Sequence, residues 1–292
     1  MDNKNLVINL NKPKGLTSQQ AVTKVKKLFA ARKAGHAGTL DPLATGILLV
    51  CLNEATKITR FLAEADKEYL AMMKLGERTD TLDSEGKIIY KAPHFSVDKN
   101  LIETILERFR GNIEQIPPMY SAIKVAGKPL YRLARKGIEI ERQHRSVNIY
   151  ALDIAGFAPP FLEIRVLCSK GTYIRTLCDD IGTALGIGAH VVELKRTKIG
   201  DFIFKDSADF DKLPNKEKAV CSIDASLSHL KDVILTSRDF IKMANGAMIT
   251  SENLPELPAD SYLRLKNPDG KLFAIGKSTG SGIKIERLLH IL

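Results

Sequence analysis

The longest unbroken apolar run in the chain is Gly46-Ile47-Leu48-Leu49-Val50-Cys51-Leu52, and it constrains the fold more than any other feature. It is far shorter than the roughly 20 residues a bilayer-spanning helix needs. It is also too short for an independent helix and is bounded by glycine, so it reads as a buried strand. No transmembrane helix is expected. The first residues, Met1-Asp2-Asn3-Lys4-Asn5, carry no leader-like charged and apolar regions, so a cytoplasmic protein without a membrane partner is expected.

Other strands and helices follow from periodicity. Leu6 to Leu10 and Lys67 to Leu75 read as strands. Ala21, Val22, Val25, Leu28 and Phe29 recur at helical spacing behind Thr17-Ser18, and Leu101, Ile102, Ile105, Leu106 and Phe109 do so behind Asp98. A shorter helix covers Leu130 to Ala134. A strand covers Leu162 to Val166, and a helix runs from Ile174 to Leu185. The mixture lacks a strict βαβ rhythm, which predicts an α+β fold around a mixed, largely antiparallel sheet.

A length of 292 residues suggests two domains. The segment from Phe204 to Lys231 is polar and short of strand signals, so it reads as a connector with one short helix over Ile223 to Leu230. A capped helix from Ser237 follows, then three strands at Leu263–Leu265, Leu272–Ile275 and Ile283–Ile285. The boundaries expected are 1–231 and 232–292, with separate cores, so that the first unit folds without the second.

The formal net charge is +10, and it is concentrated: residues 1–35 hold eight bases and one acid, and residues 121–150 hold seven and two. Localised positive charge suits a polyanion such as nucleic acid; a solvated surface is the competing reading. The four cysteines are widely spaced and read as buried thiols, and the six histidines show no paired metal-ligand spacing, so no metal is expected.

The densest candidate for chemistry is the stretch from Gly35 to Gly46, with His36 and Asp41 among glycines, threonines and Pro42 just before the buried strand. Asp41 is the only acid between Asp2 and Glu54, so neighbouring cations would keep it ionised as a nucleophile or base. The alternative is an Asp-Pro turn with a satisfied carboxylate. Tyr69 opens a strand and could stack on a base; Arg175 lies in the first turns of a helix and could pair with a carboxylate. Asn11-Lys12-Pro13-Lys14-Gly15-Leu16-Thr17-Ser18 lacks Walker spacing but could hold an RNA phosphate.

Together these strings resemble the bacterial TruB-type tRNA pseudouridine synthases, which isomerise the uridine at position 55 of the T-loop. The similar stretches are Asn11-Lys12-Pro13, Gly35 to Gly46, Lys67-Glu68-Tyr69, Thr79-Asp80-Thr81-Leu82-Asp83, Gln115 to Ala122, Tyr131 with Ala134-Arg135, Gly171 to Leu177, and Leu194 with Arg196. The resemblance implies a pseudouridine-synthase fold with a small C-terminal β-rich, PUA-like RNA-binding domain. It implies Asp41, Tyr69 and Arg175 as catalytic residues, His36 in base flipping, and Lys12, Pro13 and Leu194 lining the pocket. Lys128, Arg132 and Arg135 are expected to hold the tRNA T-arm. No cofactor and no obligate protein partner are implied, and monomer is the default. Two rivals are a scaffold-only RNA-binding protein and a guide-RNA-dependent synthase.

Overall fold

The computed structural model describes residues 5–121, 123–125, 127–250 and 258–290; the side chains of Lys124, Lys128, Pro129 and Pro214 lie outside that description. Strand β1 (Leu6–Lys12) leads to helix α1 (Ser18–Leu28). Thr17 caps that helix reciprocally: its hydroxyl accepts from the Gln20 N–H while the Gln20 side chain accepts from the Thr17 N–H. Strands β2 (Ala34–Ala37) and β3 (Thr45–Leu52) flank the glycine-rich loop. Helix α2 (Thr59–Ala63) then precedes β4 (Lys67–Leu75), which alternates buried and half-buried residues along its whole length.

A hairpin of β5 (Glu77–Thr79) and β6 (Ile88–Lys91) follows, then α3 (Lys99–Glu107) and β7 (Gly111–Gln115). The short pair β8 (Lys124–Val125) and β9 (Lys128–Pro129) leads into α4 (Leu130–Ala134). The chain continues through β10 (Arg145–Ala158), β11 (Phe161–Cys168), α5 (Ile174–Ala184), β12 (Ala189–Ile199), β13 (Phe202–Ile203) and β14 (Val220–Ser222). The main sheet runs β14-β1-β3-β12-β4-β11-β10-β7, with β2 added to β3 and β13 to β12. Its pairings are antiparallel except β3 with β12. That parallel contact brings Gly46 against Arg196; at φ +94 a Cβ on Gly46 would sit 2.3 Å from the Arg196 carbonyl, so only glycine fits.

Strand β10 escapes the alternation reading for a physical reason. Register shifts between Ile149 and Ala151 and between Ile154 and Gly156 each reverse which side chains face the core, so the inward set never keeps one parity. The segment from 204 to 231 also differs from a free connector: Ala208 exchanges backbone hydrogen bonds with Asn9 and Asn11, and β14 pairs with β1. Its helix, α6, spans only Ile223–Ser226.

The C-terminal unit holds β15 (Lys231–Ile234), α7 (Ser237–Ala244), β16 (Ile249–Thr250), β17 (Tyr262–Lys266), β18 (Leu272–Thr279) and β19 (Gly282–Leu288). They form a sheet in the order β15-β17-β18-β19-β16. Helix α7 is capped by Thr236, whose hydroxyl accepts from Asp239, rather than by Ser237.

The expectation of separate cores holds only in part: Val233, Met243, Leu263, Leu265, Phe273 and Ile283 form a cluster of the C-terminal unit's own, but a second cluster spans both units. Leu272, Ile275 and Leu289 pack into the same buried cluster as Val7, Ile47, Leu49, Ile58 and Phe61. Tyr262 meets Phe61 edge-on at 4.9 Å, and Arg264 and Lys266 both pair with Asp224 and Asp232. Burial of three large aliphatic side chains at about 1.5–3 kcal/mol each gives roughly 5–9 kcal/mol across this contact. Truncation after residue 230 should therefore lower the thermal midpoint by about 10 °C or more, measured by calorimetry. An unchanged midpoint would show that the contact contributes nothing to stability.

Candidate active site

The central strands form the floor. Lys67 and Tyr69 are two residues apart on β4 and share its inward face; Arg196 on β12 lies directly across from Tyr69, and Leu194 lies across from Ala71. Above this floor is a cavity of about 280 Å³, lined by these side chains, by residues 38–41, by Ser169 and by the start of α5.

The loop that carries Asp41 is held from three sides. Ser18 donates to the Leu40 carbonyl at 2.9 Å and accepts from its N–H at 2.8 Å. Arg196 donates to the carbonyls of Ile47, Thr39 and Gly38 at 2.8, 3.4 and 3.0 Å. Lys12, fully buried, donates to Pro13, Leu16 and Pro42. Three ammonium protons on three carbonyls leave Lys12 none for a ligand. Lys12 thus braces the loop from behind, while Pro13 is exposed; neither lines the cavity.

Arg175 reaches in from the first turn of α5. Its Nε lies 2.8 Å from Asp41 Oδ2 in an ion pair, and its Nη2 donates to Oδ1 at 3.3 Å. The Tyr120 carbonyl accepts from Nη2 at 2.7 Å; Thr81 and Asp83 accept from Nη1 at 3.0 and 3.2 Å. All four Nη protons therefore have acceptors, and Nε faces the Asp41 carboxylate. Burial pushes the Asp41 carboxyl above its ordinary range, Arg175 pulls it back, and Asp83 pushes it up again. Burial also raises the Tyr69 phenol, which keeps it protonated at neutral pH, while Arg196 opposes that rise. The start of α5 is fixed by Gln115, whose amide accepts from the Tyr173 N–H at 2.9 Å and donates to its carbonyl at 3.2 Å.

Asp41, Tyr69, Arg175 and Leu194 thus meet at one cavity. His36 sits on β2 outside the lining set; among the described residues its buried Nδ1 has no hydrogen-bond partner, and burial lowers its pKa, favouring the neutral ring. Arg132 and Arg135 are exposed on and beside α4, with Arg135 lying 5.7 Å from the Tyr131 ring. The Lys128 side chain is outside the described residues. Sequence reasoning did not single out Asp83, Gln115 or Ser18 as parts of the site. Asp80, Asp83 and Glu85 look alike in the sequence, and only the fold turns Asp83 inward, where the Thr81 hydroxyl and the Glu85 N–H also reach it.

A carboxylate held by arginine over an aromatic and aliphatic floor, on a mixed sheet with a C-terminal β-rich unit, is the architecture of a pseudouridine synthase, an isomerase. A solved Cbf5-Nop10-Gar1 complex contains a chain that superposes on this one with a TM-score of 0.76 at 27% identity, covering 98% of this chain and 85% of that one. A chain in an H/ACA RNP bound to a substrate RNA containing 2'-deoxyuridine superposes with a TM-score of 0.75 at 26% identity, covering 98% and 86%. Residues 26–174 match the TruB family pseudouridylate synthase N-terminal domain, and residues 175–237 match the tRNA pseudouridylate synthase B C-terminal domain. The chain belongs to the TruB family. It is 43% identical to the tRNA pseudouridine synthase B of Clostridium acetobutylicum over 97% of this chain and 99% of the relative. It is 52% identical to that of Francisella philomiragia over 72% and 70%.

Proposed function

We propose that this chain pseudouridylates tRNA, isomerising the uridine at position 55 of the T-loop without a cofactor or a partner protein. The observation that carries this reading is the Asp41–Arg175 pair opening onto a 280 Å³ cavity. That volume lies near the roughly 300 Å³ lower bound of small-ligand pockets, so it suits one nucleoside and not a stacked strand. The target base has to leave its stack to enter.

In the reaction the bond from uracil N1 to ribose C1′ breaks, the base turns, C5 bonds to C1′, the C5 proton departs and N1 takes up a proton, so that the product is an isomer of the substrate. Asp41 acts as nucleophile at C1′ or as base toward C2′, and Arg175 fixes its orientation and charge. Tyr69 stacks on the freed uracil and relays the C5 proton. Leu194 supplies the apolar surface beneath the ring, and His36 assists extrusion of the base. Asp83 is a positioning residue, holding Arg175 from the side opposite Asp41. The C-terminal unit serves as the PUA-like RNA-binding domain, from about residue 232 onward.

Lys128, Arg132 and Arg135 hold the T-arm backbone. Their combined replacement by alanine should weaken tRNA binding and reduce the salt slope by near one unit per lost phosphate contact. An unchanged slope in filter binding at several salt concentrations would return these residues to the solvated surface. The position itself is tested by carbodiimide mapping of a bare tRNA transcript after incubation with this chain alone. Modification confined to uridine 55 is expected; modification elsewhere, or only with added guide RNA, would overturn the reading.

A further inference from the structure

Three cations and one carboxylate line the cavity: Lys67, Arg175 and Arg196 against Asp41. Arg175 is committed to Asp41 and Asp83. Lys67 and Arg196 are 6% and 1% exposed and, among the described residues, pair with no carboxylate. Among the described residues Lys67 donates only to the Ala63 and Ala65 carbonyls, at 2.5 and 2.6 Å, which leaves one ammonium proton over. The two cations converge: a point on the Gly38 Cβ position lies 3.5 Å from Arg196 Nη1 and 3.9 Å from Lys67 Cε. Burying unpaired positive charge is costly, and two such charges side by side are costlier still. The arrangement is explained if an anion forms in the cavity during turnover.

The reaction supplies that anion. When the N1–C1′ bond breaks, its electron pair leaves with the base as a uracil monoanion. C1′ is then bonded to the Asp41 carboxylate, or it belongs to a glycal whose C2′ proton Asp41 has taken. Either way Asp41 becomes neutral, and one negative charge moves from the Arg175 side of the cavity to the ring. Attack of C5 on C1′ returns the charge to the carboxylate, by displacing it or by drawing its proton back to C2′; the C5 proton is then lost as N1 takes one up, so the step is a net isomerisation. We infer that Lys67, backed by Arg196, is a further catalytic group that stabilises the uracil anion between glycosidic cleavage and reattachment. This inference rests on the proposed pseudouridylation. Burial and Arg196 lower the Lys67 ammonium to about 8, so it is charged at neutral pH. Arg196 itself holds the Asp41 loop, which makes Lys67 the cleaner group to vary.

The test compares two bases in one variant. Fluorine at C5 withdraws electrons and stabilises the uracil anion, so 5-fluorouridine at position 55 depends less on a cation than uridine does. Single-turnover disappearance of the N-linked nucleoside, read by nuclease digestion and chromatography, is measured for the wild type and Lys67→Met. On uridine the variant should be slower by about a hundredfold, the scale of losing one preorganised charge-stabilising donor. On 5-fluorouridine the loss should be at least tenfold smaller, and the ratio of the two rates does not depend on how much variant is folded. Equal losses on both bases, or none on either, would overturn the inference. Activity retained by Asp41→Asn in the same assay would instead overturn the proposed function.

Discussion

Asp41→Asn should abolish pseudouridine formation, by roughly 10⁴-fold or more, while tRNA affinity stays within about tenfold, or about 1.4 kcal/mol. The separation follows from the geometry. Asparagine keeps the outline of Asp41 but can act neither as nucleophile nor as proton acceptor at this site. Arg175 retains Asp83, Thr81 and Tyr120 as acceptors, and the loop retains Ser18, Lys12 and Arg196, so the cavity survives the change. Single-turnover kinetics paired with filter binding measure the two quantities. A fall in affinity matching the fall in rate would mean that Asp41 holds the loop and does no chemistry.

Arg175→Leu has the second largest expected effect and acts on both stability and rate. It strands Asp83, which is 6% exposed, and removes the group that pulls the Asp41 carboxyl down against burial. Breaking a buried ion pair by deleting one partner costs about 3–5 kcal/mol, to be read from denaturant unfolding at pH 7. The Asp41 carboxyl is already raised, and losing Arg175 raises it further. A larger share of the enzyme is then protonated and inactive at a given pH. The acid limb of the rate profile should move to higher pH, and the rate deficit should be greatest at the acid end. Adding Asp83→Asn to Arg175→Leu should recover part of the stability without recovering the rate, since it removes the stranded charge but restores no cation for Asp41. Additive losses would show that Asp83 and Arg175 are not coupled.

Elements whose pattern is local were legible in the sequence. Strand β4 spans the same residues, Lys67 to Leu75, that read as a strand, and Thr17 and Asp98 announced their helices because each cap bonds within three residues. Asp41 stood out as a lone acid, and Arg175 pairs with it across 134 positions of sequence. What stayed hidden depends on the fold. Strand β10 was masked by two bulges, and β14 by its edge position, where it needs little apolar alternation. The shared core was invisible because Leu272, Ile275 and Leu289 each look like residues of a local β-sheet. The bracing role of Lys12 could not be read either, since its acceptors are backbone carbonyls, which no sequence motif reports.

The central claim is that this chain alone isomerises one uridine through Asp41, and tritium release tests it most directly. A tRNA transcript carrying C5-tritiated uridine is incubated with the purified chain and no other component. One tritium per tRNA should be released by the wild-type chain, and none when position 55 is cytidine or when the chain carries Asp41→Asn. Release that persists with either control, or that never occurs without a guide RNA or a second protein, would contradict the account.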